Sequence, residues 1–209
     1  MWVVKLGGSL AGEAVLRDWL EMLAGYGGGQ VVIVPGGGPF ADQVREAQDG
    51  WRFDDGTAHR MALLAMEQYG LMLTGICPEL VPADSRQELL GALRAGRVAV
   101  WLPTKMALAA DEIPHSWDVT SDSLAAWLAN HVSAERLVLV KPFAPAQLEI
   151  EAEEMSRRGM VDRAFPAFVR SGCFQTLVLG KQQHPALKRL LLGSVCRPIE
   201  PGFFVPRTR

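Results

Sequence analysis

The sequence predicts an α/β protein, a three-layer α/β/α sandwich built on a mostly parallel central sheet. Three observations carry that expectation. Short apolar runs (WVV, VVIV, VAVW, LVLV and TLVL) alternate along the chain with longer stretches of helical periodicity. Strands alternating with helices close into a parallel sheet with right-handed crossovers and helices on both faces. The runs also end in lysines or glycine loops, and ligands of open α/β sheets bind outside the carboxyl ends of the strands.

The elements follow in order. The first run ends at Lys5 and opens into Leu6-Gly7-Gly8-Ser9. A helix is expected over 12–25, where Val15, Leu16, Trp19, Leu20 and Leu23 recur at helical spacing. Gly27-Gly28-Gly29 stops it, and VVIV leads into Pro35-Gly36-Gly37-Gly38-Pro39. Residues 39–48 read as a helix with Phe40, Val44 and Ala47 on one face, and 55–73 as a longer one capped by Asp54 or Asp55. Pro78 and Pro82 break the chain before a helix at 85–95. VAVW is the next strand, and a polar loop over 111–117 follows it. Asp118, Thr120 and Ser121 then cap a helix running to 129. LVLV precedes a surface excursion over 142–160, rich in Pro, Glu and Ala. TLVLG, a helix near 185–192 and a strand over 195–199 close the chain.

Composition narrows the function. At 209 residues, 49% hydrophobic and 21% charged, the chain has the balance of one ordinary globular domain. A net charge of −2 argues against nucleic-acid or membrane-surface binding, which need a basic footprint. Three cysteines without a CxxC pair fit a reducing compartment. No leader is visible and no apolar run reaches the roughly 20 residues that span a bilayer, so a cytoplasmic protein is expected.

Four of the five lysines lie at or just past a strand: Lys5, Lys105, Lys141 and Lys181. With the glycine loops they describe a cradle for a polyanion such as a nucleotide phosphate. In Lys5-Leu6-Gly7-Gly8-Ser9 the glycines let backbone N–H groups approach phosphate oxygens, and Lys5 supplies a point charge. The same residues would also serve as a tight turn with a surface lysine. The spacing matches neither GxxxxGK[ST] nor GxGxxG. Three successive glycines at 36–38 exceed what a turn needs, and close approach to a ligand is a sufficient reason for them. In Asp118-Val119-Thr120-Ser121-Asp122, capping alone accounts for the residue types. Alternatively, Asp122 orients Lys5 and a second cation while Asp118, Thr120 and Ser121 contact acceptor or metal. His59 heads a helix that would cover the acceptor, either to donate a hydrogen bond to a phosphate or as a structural residue. Trp117 suits the core or an aromatic pocket equally.

Jointly, VVKLGGS, VIVPGGG and DVTSD resemble the amino-acid kinase superfamily, which includes acetylglutamate, aspartate, glutamate-5 and uridylate kinases. The resemblance implies ATP and an acidic acceptor lying end to end across the carboxyl edge, with Mg²⁺ carried mainly by the ATP phosphates. It implies one domain over 1–209, with an acceptor-side lobe to about 135 and a nucleotide-side lobe over about 136–209. On this basis Lys5 bridges the phosphoryl group in transfer, and Asp122 organises the lysines. Lys5, Gly7, Gly8, Ser9, Lys141 and Lys181 face the nucleotide; Gly36, Gly37, Gly38, His59, Asp118, Thr120 and Ser121 face the acceptor. There are departures. Lys141-Pro142-Phe143-Ala144-Pro145 replaces a TDVDG-like stretch. Gly159-Met160-Val161-Asp162-Arg163 carries Arg163 where a second lysine is expected. Arg163 keeps the charge as a rigid fork and counts with Lys5, Asp122 and Lys141 as catalytic, or Lys141 or Lys181 takes that duty instead.

Within the superfamily, the segments around His59, DVTSDSLAAWLA and VDRAFP are similar to the aminomethylfuran phosphate kinases of methanofuran biosynthesis and their methylotroph relatives. That similarity implies phosphorylation of a phosphomonoester to a diphosphate, and the wider superfamily resemblance implies a homo-oligomer. A carboxylate acceptor, or a non-catalytic nucleotide or oxyanion binder of the same fold, are the competing readings.

Overall fold

The apolar runs form strands buried on both faces. The computed structural model describes residues 1–143, 151–193 and the backbone of 203–205. Its strands are β1 (Trp2–Leu6), β2 (Val31–Pro35), β3 (Leu80–Ala83), β4 (Val98–Trp101), β5 (Arg136–Lys141), β6 (Gln175–Gly180) and β7 (Phe203–Val205). They make one sheet in the order β3-β4-β2-β1-β5-β6-β7. The first six are parallel, and β7 joins β6 antiparallel.

Successive side chains of a strand point to opposite faces, so each central strand feeds two cores. Val3, Val32, Val34, Ala99, Trp101, Leu137 and Leu139 pack into one. Trp2, Val4, Val31, Ile33, Val98, Val100, Val138 and Val140 pack into the other. The first core is covered by α4 (Arg86–Arg94), α5 (Thr104–Leu108), α6 (Ser121–His131), α7 (Ala152–Arg157) and α8 (Phe165–Arg170). The second is covered by α1 (Val15–Tyr26) and α9 (His184–Gly193). The long α3 (Asp55–Ile76) contributes to both, and with α2 (Gly38–Trp51) encloses a small cluster of Ala41, Val44, Ala58 and Ala65. This is the expected three-layer sandwich. Each fully buried Trp or Leu adds roughly 1.5–3 kcal/mol or more of apolar burial, and Trp2, Trp19, Trp101, Leu6, Leu20 and Leu23 are of this kind.

Three expectations need correction. The segment at Pro78–Pro82 does not merely break the chain: it contains β3, and Pro82 is tolerated there because β3 is an edge strand. The first helix begins at Val15, after a single 3-10 turn over Gly8–Leu10. The short α5 and α8 were not anticipated, since a helix of five or six residues has too few turns to show a period. The strand expected over 195–199 lies outside the described residues, as does 144–150 of the excursion; α7 occupies part of the remainder. Among the described residues no helix is long and apolar enough to cross a membrane.

Candidate active site

β1 and β5 lie side by side in register, with Lys5 opposite Leu139. Alternation then places Lys5 on the face of Val3, and Lys141 on the face of Leu137 and Leu139. Both faces turn toward α6, whose first turn carries Asp122. A carboxylate is favoured there by the positive end of the helix dipole. Lys5 Nζ stands 3.1 Å from Asp122 Oδ1, and Lys141 Nζ donates to Oδ2 at 2.6 Å. All three groups are buried or nearly so; the Lys5 and Asp122 side chains are each 7% exposed and that of Lys141 12%.

The electrostatics follow from that burial. Desolvation alone would raise the Asp122 carboxyl, but the two ammonium groups outweigh it and hold the carboxyl below its usual range. Lys141 is pushed down to about 8, by burial first and then by the positive charge of Lys5; Asp122 and Asp162 pull the other way. Lys141 therefore remains largely protonated at neutral pH, close to its titration.

The two glycine loops meet beside this centre. Gly36 N–H donates to Leu6 O at 2.8 Å, which ties the second loop to the end of β1. A Cβ on Gly8 would stand 2.5 Å from Gly38 N, and one on Gly36 would stand 2.4 Å from Gly8 N. Gly38 also has φ +55, in the left-handed region that favours glycine. Loop-on-loop packing thus joins ligand approach as a reason for these glycines.

Two cavities share the Gly8-Ser9 turn. One of about 420 Å³ is lined by Lys5, Gly7, Lys141, Phe143, Gly159 and Met160, among others. The other, about 380 Å³, is lined by Gly37, Gly38, Arg45, His59, Trp117, Thr120 and Ser121, among others. His59 is buried and stacks on His115, with ring centroids 4.9 Å apart. Burial, then the neighbouring His115, pushes His59 down to about 4, so it is neutral at physiological pH. Trp117 donates from Nε1 to Gln48 Oε1 at 2.6 Å, and the Arg45 guanidinium lies 4.5 Å above its ring.

Other residues named from the sequence stand elsewhere. Arg163 does not reach Asp122: its side chain is 85% exposed and faces Asp118 at 3.6 Å. Lys181 is paired with Glu13 at 2.8 Å, and Lys105 with Asp84 at 2.9 Å; neither lines the two cavities. The helix cap also differs. Asp118, Thr120 and Ser121 do not cap α6 with their side chains; Asp162 does, from some 40 residues away, accepting from Thr120 N and Ser123 N. Asp162 and Arg45 were not singled out from the sequence. A helix start whose nearby hydroxyls turn out to be donors gives no local signal for a remote cap. Arg45 reads as one more charge on an amphipathic helix.

A cavity lined by two paired lysines and glycine backbone, on the carboxyl edge of a parallel sheet, is suited to phosphoryl chemistry, and the chain's relatives mark it as a phosphotransferase acting on small molecules. The chain belongs to the amino acid kinase family, whose model matches residues 1–142, and ATP is the phosphoryl donor of that class. Over 205 residues it is 27% identical to the (5-(aminomethyl)furan-3-yl)methyl phosphate kinase of Methanocaldococcus jannaschii, covering 92% of this chain and 94% of that protein. Its fold is similar to that of uridylate kinase from Archaeoglobus fulgidus, with a TM-score of 0.68 at 15% identity over 92% of this chain and 95% of that one. UMP kinase from Ureaplasma parvum superposes with a TM-score of 0.70 at 14% identity, over 100% of this chain and 95% of that one.

Proposed function

We propose that this protein is an ATP-dependent kinase that transfers the γ-phosphoryl group to the phosphate of a small phosphomonoester, forming a diphosphate. The carrying observation is the buried Lys5–Asp122–Lys141 triad, whose two lysines line one cavity that shares Gly8 and Ser9 with a second. Such chemistry needs positioning and charge neutralisation rather than a protein nucleophile. In this reading the 420 Å³ cavity takes the ATP phosphates and the 380 Å³ cavity takes the acceptor. Residues up to about 135 supply the acceptor side, and the later chain joins 5–9 on the nucleotide side.

Each residue has a role in that scheme. The bond from the γ-phosphorus to its bridging oxygen breaks as an oxygen of the acceptor phosphate bonds to phosphorus. Lys5 and Lys141 neutralise charge on the phosphoryl oxygens in passage, and Asp122 holds both ammonium groups in place. The amides of Gly7, Gly8 and Ser9 face the nucleotide; Gly36, whose N–H is held by Leu6 O, shapes the loop from which Gly37 and Gly38 orient the acceptor with Thr120 and Ser121. Lys141, inside the triad, takes the place of the second lysine; Arg163, Asp118 and Lys181 are left to contacts at the margins. Among the described residues no group of three or more His, Cys, Asp or Glu converges as a metal cage, and Asp122 is already engaged by two lysines. Mg²⁺ would accordingly be held by the nucleotide phosphates, where it supplies further charge neutralisation.

The acceptor cavity suits a compact planar substrate bearing both charges. Arg45 and Asp42 line it 3.0 Å apart, Trp117 offers a ring, and neutral His59 offers one hydrogen bond. The similarity to an aminomethylfuran phosphate kinase supports an aminomethylfuran phosphate acceptor, in methanofuran-type one-carbon cofactor biosynthesis. The cytoplasm, where ATP is supplied, is the proposed compartment. A homo-oligomer is proposed on the exposed Leu64 and Leu71, seven residues apart on α3, and sedimentation velocity tests it. The reading is tested by measuring ADP release with phosphomonoesters, with and without an amine, and with free amino acids. Turnover is expected only with the phosphomonoesters and fastest with the amine-bearing one; turnover confined to amino acids would replace this reading with the carboxylate one.

A further inference from the structure

Asp162 is the most heavily engaged acceptor among the described side chains. Its Oδ2 accepts from Thr120 N at 2.9 Å, Thr120 Oγ1 at 2.8 Å and Ser123 N at 3.0 Å. Its Oδ1 accepts from Ser123 Oγ and from Phe165 N at 3.0 Å. Three of these donors are backbone N–H groups at the starts of α6 and α8, which have no partner within their own helices. One carboxylate thus does for two helices what an N-cap side chain does for one.

The placement matters more than the count. Asp162 belongs to the turn whose Gly159 and Met160 line the cavity of Lys5 and Lys141. Its partner Thr120 lines the other cavity, and its partner Ser123 directly follows Asp122. We infer that Asp162 is a positioning residue that locks the wall of one cavity to the first turn of α6, fixing Asp122 and both cavities in one geometry. The inference rests on the proposed kinase reading for its effect on turnover, but the locking itself can be tested without it.

The substitution Asp162→Asn separates the two. An amide presents one acceptor oxygen where the carboxylate presents two, so the donors on one side of the carboxylate lose their side-chain acceptor and the lock loosens, although Phe165 N keeps a longer bond to Asp162 O at 3.3 Å. The charge also vanishes beside Lys141, which otherwise faces Lys5 from β1, Asp122 from α6 and Asp162 itself. With five lysines in the chain, isotope-labelled lysine side chains can be titrated individually by NMR. In Asp162→Asn the Lys141 midpoint is expected to fall below its wild-type value. In steady-state assays kcat is expected to drop about 10- to 100-fold, as for a reacting centre displaced by about 1 Å, with KM rising for both ATP and acceptor. Should Asp162→Asn fail to fold, Ser123→Ala removes one donor, leaves the backbone bonds, and should move the same readouts in the same direction by less. An unmoved Lys141 titration, or activity lost only in proportion to the folded fraction, would overturn the inference. A Lys141 midpoint moved by Asp162→Asn but not by the charge-neutral Ser123→Ala would reduce Asp162 to a nearby charge and overturn the lock. A midpoint moved by both, in a protein that turns over no acceptor, would leave the lock standing and reject the kinase reading instead.

Discussion

Asp122 and Asp118 lie four residues apart and each faces a cation, yet the two pairs have different physical consequences. Asp122 is buried between Lys5 and Lys141, whereas Asp118 is 58% exposed and faces an Arg163 that is 85% exposed. An exposed pair is screened by water and contributes about 0–1 kcal/mol. A buried one is held by its surroundings, and removing one partner strands the other charge at a cost of about 3–5 kcal/mol. The difference teaches that ion pairing alone does not mark a centre; burial that forces charges together does.

The sharpest way to break that contrast is to neutralise each aspartate. Asp122→Asn should lower unfolding stability by about 3 kcal/mol or more in urea titrations, because two buried ammonium groups lose their counter-ion. Asp118→Asn should stay within about 0.5 kcal/mol of wild type. Equal losses would dissolve the distinction.

Next in size is the loop junction that frames the buried pair. Gly36→Ala places a Cβ 2.4 Å from Gly8 N, against backbone that cannot swing aside. A destabilisation of about 1–3 kcal/mol is expected, together with weakened nucleotide binding by calorimetry. Gly12→Ala, with open space around it, should change neither.

A pH profile sharpens the comparison further. Turnover should decline as pH rises through about 8, where Lys141 loses its proton. Lys141→Arg should move that limb upward, since a guanidinium stays charged. Stability carries the opposite sign. Between about 8 and the ordinary lysine value of 10.5 the unfolded chain binds more protons, so this group's contribution improves as pH rises and is lost as pH falls through about 8. A flat profile would place Lys141 outside the reacting centre. The smallest effect is expected at the exposed pair: Arg163→Ala should change kcat less than about threefold, as befits a surface contact.

Much of this was legible in the sequence. Apolar runs and helical spacing gave the sandwich, because burial on both faces leaves strands with no polar positions to interrupt them. The three glycines at 36–38 exceed what an ordinary turn requires, whereas Lys5 with its glycines and Asp122 stand out only when the three motifs are taken together, since a tight turn and a helix cap account for each alone. The choice between Lys141, Lys181 and Arg163 as partners of Asp122 was not legible. It depends on β5 lying next to β1, and strand order is a long-range property that no local pattern encodes. Asp162 was hidden for a related reason: four of its five donors, on Thr120 and Ser123, come from a segment brought to it only by the packing of α6 against α8. β3 was masked by Pro82, whose missing N–H matters only where a strand has neighbours on both sides.

Lys5 is the residue on which the triad's role turns, and the direct measurement is the single-turnover rate of Lys5→Ala beside its dissociation constant for ATP. Loss of a charge that acts mainly on the departing phosphoryl group should slow the chemical step by about 10²- to 10³-fold, while ATP affinity changes less than about tenfold. A variant that transfers phosphate at the wild-type rate once saturated, or whose affinity falls as far as its rate, would contradict the role assigned to the buried triad.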